Sequence, residues 1–156
     1  MKSVIEELGA TVNEYSKKIA AIGEQEFSAK PLPNKWSKKE VLGHLIDSAH
    51  NNARRFIVGQ YDTIPPKIVY DQDQWVSLNN YQQTDTKEVI DLWVLANKRI
   101  INILQKMPAS AYTKRADTGK ETQSLHTLEF LAVDYVKHLK HHLNQIIPNS
   151  FDVAYS

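Results

Sequence analysis

The sequence predicts an all-α fold, a four-helix bundle, and three observations predict it. The prolines (Pro31, Pro33, Pro65, Pro66, Pro108 and Pro148) all fall between long segments and none inside one. A proline within a helix would remove a hydrogen bond and clash with the preceding turn, so the segments it spares are free to be helical. Within each segment the apolar residues recur at intervals of three and four, the period of a helix with one buried face. Four such segments of about twenty residues each are what a four-helix bundle requires. A chain of 156 residues, 42% of them apolar, suits one domain spanning 1–156 with a core of useful size.

The first segment runs from about Lys2 to Glu24, with Ile5, Leu8, Val12, Tyr15, Ile19 and Ile22 on its apolar stripe. Gly9 weakens this helix by roughly 1 kcal/mol relative to alanine. A loop, Ala29 to Trp36, follows. Ser37-Lys38-Lys39-Glu40 then has the form of a capping box, in which serine and glutamate satisfy each other's backbone N–H groups. Trp36, just before the cap, is placed to pack on Val41. The second helix is expected to reach Val58 and stop at Gly59. Residues 59–83 form the longest connection and carry Tyr61, Tyr70, Trp75 and Tyr81. Its aromatics argue against disorder. It reads either as a loop folded over one end of the bundle or as a lid or substrate wall. The third helix is expected from Asp85 to Met107, with Val89, Trp93, Ala96, Ile100, Ile103 and Leu104 as its stripe. Residues 108–123 read as loop, Ser124 as the cap of the fourth helix, and Pro148 as its limit.

Composition excludes several functions. Nineteen basic and eighteen acidic residues give no field that would attract nucleic acid or an anionic membrane. The chain has no cysteine, which removes disulfides, zinc–thiolate sites and a cysteine nucleophile together. Residues 1–7 carry two acids and no apolar core of a signal peptide, and no apolar run approaches the ~18 residues that span a bilayer. A soluble cytoplasmic protein is the expectation. No phosphate loop, nucleotide fingerprint or Ser–His–Asp pattern occurs, and no pair of Glu-x-x-His motifs suggests a ferritin-like di-iron site.

The histidines carry the chemistry. His138-Leu139-Lys140-His141-His142 places three within five residues. On a helix, residues four apart project within about 40° of each other, so His138 and His142 can share an ion. His138 and His141, three apart, could do so as well. His141 and His142 diverge by roughly 100° and cannot. The apolar arc of this helix, from Leu128 to Ile146, contains His142 and has His138 at its edge, while His141 falls outside, beside Asp134 and Lys137. Two histidines do not complete a site, because catalytic centres of the zinc type use three protein ligands. The third ligand must come from another helix, and the second helix offers His44 and His50. Its periodicity slightly favours His50.

Trp36-Ser37 opening a helix, followed by Gly43-His44-Leu45-Ile46-Asp47-Ser48, resembles the second helix of the DinB superfamily, and residues 134–146 (DYVKHLKHHLNQI) resemble its last. The resemblance implies a bundle of up-down-down-up connectivity, for which the 59–83 connection supplies the long crossover. It also implies one divalent metal ion (zinc, nickel or iron) held by His44, His138 and His142, against the slight preference for His50. A homodimer is among its implications. Two activities follow from it: transfer of a low-molecular-weight thiol onto a small electrophilic substrate, the favoured reading, and metal-dependent hydrolysis. A non-catalytic bundle with a structural metal or none is the alternative of a different class. Asp47 and Asn51, one and two turns after His44, are placed to face the same cavity. Asp134 is placed to orient His138, and Tyr135 to donate to a metal-bound group. Asp47 and Tyr135 are the candidate catalytic residues.

Overall fold

The computed structural model describes residues 1–155 and contains four long helices, two short ones and a small hairpin. The long helices are α1 (Lys2–Ala20), α3 (Lys38–Tyr61), α5 (Thr86–Lys106) and α6 (Leu128–Ile146). The short helices are α2 (Glu24–Ser28) and α4 (Gln72–Asn79), and the strands β1 (Arg115–Asp117) and β2 (Leu125–Thr127) pair antiparallel. Leu8, Ile19, Leu42, Leu45, Phe56, Trp93, Ile100, Leu128 and Leu139 are essentially inaccessible and form the core between the long helices. Among the described residues no helix is long and apolar enough to cross a membrane.

Residue pairs fix the connectivity. His44 of α3 faces His142 of α6, and Gly59, near the other end of α3, meets Leu128 at the start of α6, so these two run antiparallel. Lys39 Nζ donates to the carbonyl of Thr84 just before α5, and Ile57 and Tyr61 share a cleft with Arg99 and Lys106, so α3 and α5 run parallel. Val4 and Glu7 lie beside Val133 and Lys140, and Tyr15 beside Phe151 past the end of α6, so α1 and α6 run parallel too. The order is therefore up, down, down, up. Each of α1 and α3 packs on α5 and α6, leaving α1 and α3 diagonal.

Several local expectations hold, and others are corrected. The capping box is present: Ser37 Oγ accepts from the Glu40 amide at 3.1 Å and the Glu40 carboxylate from the Ser37 amide at 2.9 Å. The first helix stops at Ala20, not Glu24, and α2 follows from an extended Gly23. Gly59 does not end α3, which continues to Tyr61. A Cβ at Gly59 would lie 2.8 Å from Leu128 Cδ2, so this glycine serves the close approach of α6. The 59–83 connection is more structured than a loop. It pairs Lys67 with Asp117 as a parallel bridge, forms α4 under an Asp71 cap, and turns at Asn80 with φ 56°. The cap of α6 is Thr127, not Ser124, because residues 125–127 pair with β1 before the helix can begin. Ser124 instead bonds His126 Nε2 through its hydroxyl at 2.9 Å.

The packing separates two glycines by substitution. A Cβ at Gly43 would stand 2.1 Å from the Tyr81 ring, whereas one at Gly9 would meet only Ile101 Cδ1 at 3.7 Å. In urea melts, Gly43→Ala is expected to lose about 1–3 kcal/mol through overpacking. Gly9→Ala is expected to gain about 0.5–1 kcal/mol from helix propensity.

Candidate metal centre

The seventh residue of α3 and the eleventh and fifteenth of α6 meet in the upper half of the bundle. His44, His138 and His142 each offer a ring nitrogen within 4.8 Å of the others'. His44 Nε2 stands 3.1 Å from His138 Nε2, and the His142 ring centroid is 4.5 Å from each of the other two. Two ring nitrogens face to face at that distance need one proton or one cation between them. Nitrogens bound to a common ion at about 2.0–2.1 Å in a tetrahedral array stand roughly 3.3 Å apart, so the spacing fits a shared ion.

The outer nitrogens are mostly committed. His142 Nδ1 pairs with Gln145 Oε1 at 2.9 Å, which makes Nδ1 the donor and leaves Nε2 with its lone pair. His138 Nδ1 has Ser48 Oγ at 3.4 Å, and Nδ1 of the buried His44 has no protein partner. An imidazole so placed is poorly hydrogen-bonded and well suited to be a ligand.

Burial and mutual repulsion keep all three rings neutral. Desolvation, then the charge of His142, lowers the pKa of His44 to about 3. Desolvation, then His142 and His44, lowers that of His138 to about 2. Desolvation also lowers that of His142, partly opposed by Gln145. Arg55 adds to the lowering at His138. Neutral imidazole is the metal-binding form, so the donor set is competent for a divalent ion. The folded pKa values lie below the ordinary 6.5, so the unfolded chain takes up protons first. The metal-free fold therefore loses stability as pH falls from about 6.5 toward 3.

The remaining expectations are only partly met. His50 is exposed and points away, and His141 is half-buried with its ring 5.0 Å from that of His142. Asp47 is buried, but its Oδ1 accepts from Tyr81 Oη at 2.6 Å and Asn79 Nδ2 at 2.9 Å, and Oδ2 has no partner. The Asn51 amide donates to the Asp47 carbonyl. Tyr135 donates to Asn97 Oδ1 at 2.6 Å, between α5 and α6. Asp134 accepts from Tyr155 rather than orienting His138, whose Nδ1 meets Ser48. Sequence reasoning missed Trp36, whose ring lies 5.1 Å from that of His44, and Gln145, both beside the triad. Gln145 sits three residues after His142, a helical spacing that could have drawn notice.

Two cavities flank the triad. One of about 790 Å³ is lined by His142, Gln145, Trp36, Val41, Lys35 and Asp73. The other, about 220 Å³, reaches His138 from the opposite side and is lined by Ser48, Arg55, Tyr70 and Tyr155 among others.

Asp47 gives a test with a defined sign. Burial raises its pKa from 3.8 to about 6, so the folded state resists the charge that the unfolded state accepts, and the cost grows as pH rises from about 4 to above 6. Asp47→Asn keeps an oxygen acceptor for Tyr81 and Asn79. In denaturant titrations of metal-free protein it is expected to be more stable than wild type by about 1–2 kcal/mol at pH 8, with the difference gone below pH 4. Loss of stability at pH 8 would contradict this account of Asp47.

Comparison with known proteins agrees with the geometry. YfiT of Bacillus subtilis (strain 168), named as an inferred metal-dependent hydrolase, is 26% identical over 121 residues, 78% of this chain and 67% of YfiT. The YfiT structure, described as having an unusual four-helix bundle topology, superposes with a TM-score of 0.83 at 21% identity, covering 93% of this chain and 82% of that one. A mycothiol-dependent maleylpyruvate isomerase superposes with a TM-score of 0.79 at 9% identity, covering 98% of this chain and 64% of that one. The sequence profile of the DinB superfamily matches residues 7–146, and with that match the chain belongs to the DinB superfamily.

Proposed function

We propose that this protein is a metal-dependent enzyme that transfers a low-molecular-weight thiol onto a small electrophile, with one divalent ion held by His44, His138 and His142. The observation that carries this reading is the donor set: ring nitrogens of His44, His138 and His142 within 4.8 Å of one another, with burial lowering the pKa of each ring. A divalent ion bound there would supply Lewis acidity sufficient to take the proton from a thiol or a water. Imidazole ligands suit zinc, nickel and iron alike.

The chain's own residues prepare the rest. Gln145 and Ser48 hold the outer nitrogens of His142 and His138, so that both rings present Nε2 inward. Trp36 covers one side of His44 and excludes water there. The 790 Å³ cavity beside His142 has room for both a thiol and its acceptor. In the transfer a carbon–sulfur bond forms, the thiol proton passes to solvent, and the acceptor's electron pair moves onto its leaving group or conjugated carbonyl. Sulfur activated by deprotonation needs no separate base. Hydrolysis ordinarily recruits a carboxylate base next to the ion. One candidate, Asp47, three residues after His44, has one oxygen committed to Tyr81 and Asn79. Hydrolysis stands as the second reading, favoured by the relationship to YfiT.

The first measurement is elemental analysis of untagged protein. It is expected to show about one ion per chain, lost in His44→Ala, His138→Ala and His142→Ala and kept in His50→Ala. No metal after incubation with zinc or nickel would overturn the enzyme reading. The loaded protein is then assayed with a small thiol and monobromobimane, and separately with aryl esters without thiol. Metal-dependent conjugation that drops at least about a hundredfold in His142→Ala supports transfer. Ester turnover that ignores thiol would establish hydrolysis instead.

A further inference from the structure

The smaller cavity contains a cation whose hydrogen-bonding capacity is only partly used. Arg55 Nε and Nη2 both donate to the carbonyl of Ile68, at 3.1 and 2.7 Å, and Nη1 donates to Asn52 Oδ1 at 3.3 Å. A guanidinium has five N–H groups, so one remains on each terminal nitrogen. Among the described residues no carboxylate forms an ion pair with Arg55. Burial disfavours its charge, which marks the site as one where an anion would be welcome. The same cavity wall holds Tyr70, packed edge-on to Trp75 at 5.6 Å, and His138 of the triad. Asp134, the acid in this wall, is turned to the Tyr155 hydroxyl at 3.1 Å, and the Tyr155 ring closes over His138 at 5.4 Å.

We infer that Arg55 and Tyr70 form a carboxylate-binding subsite beside the metal centre, so that the thiol this protein uses carries a carboxylate. The inference deepens the proposed function and rests on it for the identity of the ligand, though not for the subsite itself. Three features argue for it. One spare N–H on each terminal nitrogen matches the two oxygens of a planar carboxylate, the geometry at which arginine is selective. The volume, about 220 Å³, admits a small acid group and a short linker rather than a whole cofactor. The charges favour it as well. Asp134 is turned to the Tyr155 hydroxyl and forms no ion pair with Arg55, and a divalent ion at the triad would add positive charge for an incoming anion to offset. Tyr70 adds a hydroxyl donor, and Tyr155 with Asp134 closes the outer side.

The test uses zinc-loaded protein and calorimetric titration with 3-mercaptopropionate, 3-mercaptopropan-1-ol and propionate. Wild type is expected to bind the mercapto acid roughly ten- to a hundredfold more tightly than the mercapto alcohol, the worth of a charge-assisted pair. Arg55→Met is expected to abolish that gap and Tyr70→Phe, which keeps the ring on Trp75, to narrow it. Affinity for the mercapto alcohol should stay the same in all three proteins, which shows that the metal site and the fold survive. No gap in wild type, or a gap that persists in Arg55→Met, overturns the inference. Propionate separates the two readings. If neither thiol binds but propionate binds wild type and not Arg55→Met, the thiol reading fails and the subsite stands. Propionate that binds both proteins equally, or neither, overturns the subsite.

Discussion

The parallel pairing of α3 with α5 is the constraint on which the rest of the structure depends. Two consecutive long helices that run the same way oblige the chain to travel back along the whole bundle, about 36 Å for the 24 residues of α3. Residues 62–85 make that journey, and the fold secures them by burying Ile68, Val76 and Tyr81 and by a set of polar contacts. Tyr81 and Asn79 bond the Asp47 carboxylate, Gln82 bonds Ser37 and the Ser28 carbonyl, and the Thr84 carbonyl takes the Lys39 ammonium. Gly43 has no Cβ because the Tyr81 ring lies where one would be. The return connection also supplies Asp73 to the larger cavity and Tyr70 to the smaller. Topology and site are thus one problem: the crossover that makes the bundle unusual also walls both sides of the triad.

That dependence explains a placement that would otherwise be costly. One buried and two partly buried imidazoles, with an Nδ1 on His44 left unpaired, subtract from stability in the metal-free chain. The core can carry this because it lies below and between the helices, where Phe56, Trp93, Ile100 and Leu139 are fully enclosed. The polar cluster sits toward the end where α3 begins. A capping box there fixes the start of α3 about two turns before His44, so the direction of His44 is set by local chemistry.

The long helices were legible because proline placement and three-and-four spacing report burial directly, and α1, α5 and α6 each bury a stripe. What was not legible had too little buried surface to leave a pattern. In α4 only Val76 is buried, and its one sequence signal, the Asp71 cap, is shared with any turn. The strands are three residues each, too short for alternation to register. The choice between His44 and His50 shows the limit more sharply. Periodicity leaned to His50, which is exposed. His44 is enclosed because nearly all of α3 from Lys39 to Ala49 is buried, covered by α2, α4, α5 and α6 together. A helix wrapped on every side has no apolar stripe, and a wheel built on stripes misjudges it. Asp47 was read as facing the cavity and Tyr135 as a donor to a metal-bound group; Asp47 is held by the crossover, and the Tyr135 hydroxyl donates to Asn97 of α5.

The same histidine set can serve thiol or water, so the ligands alone do not choose the reaction; their surroundings do. A metal-activated water is a useful nucleophile when a neighbouring base takes its proton or positions it. A coordinated thiol loses its proton outright and needs only an acceptor and a means of holding its tail. Near the triad Asp47 accepts from Tyr81 and Asn79 through one oxygen, Asp134 accepts from Tyr155, and Glu26 pairs with Lys38 at 2.6 Å, which leaves Asp73 in the wall of the larger cavity and the second oxygen of Asp47. An environment with cationic and hydroxyl donors and few free bases stabilises an incoming anion better than it assists proton removal from water. That imbalance, rather than the identity of the three ligands, is the physical ground on which we propose sulfur transfer ahead of hydrolysis.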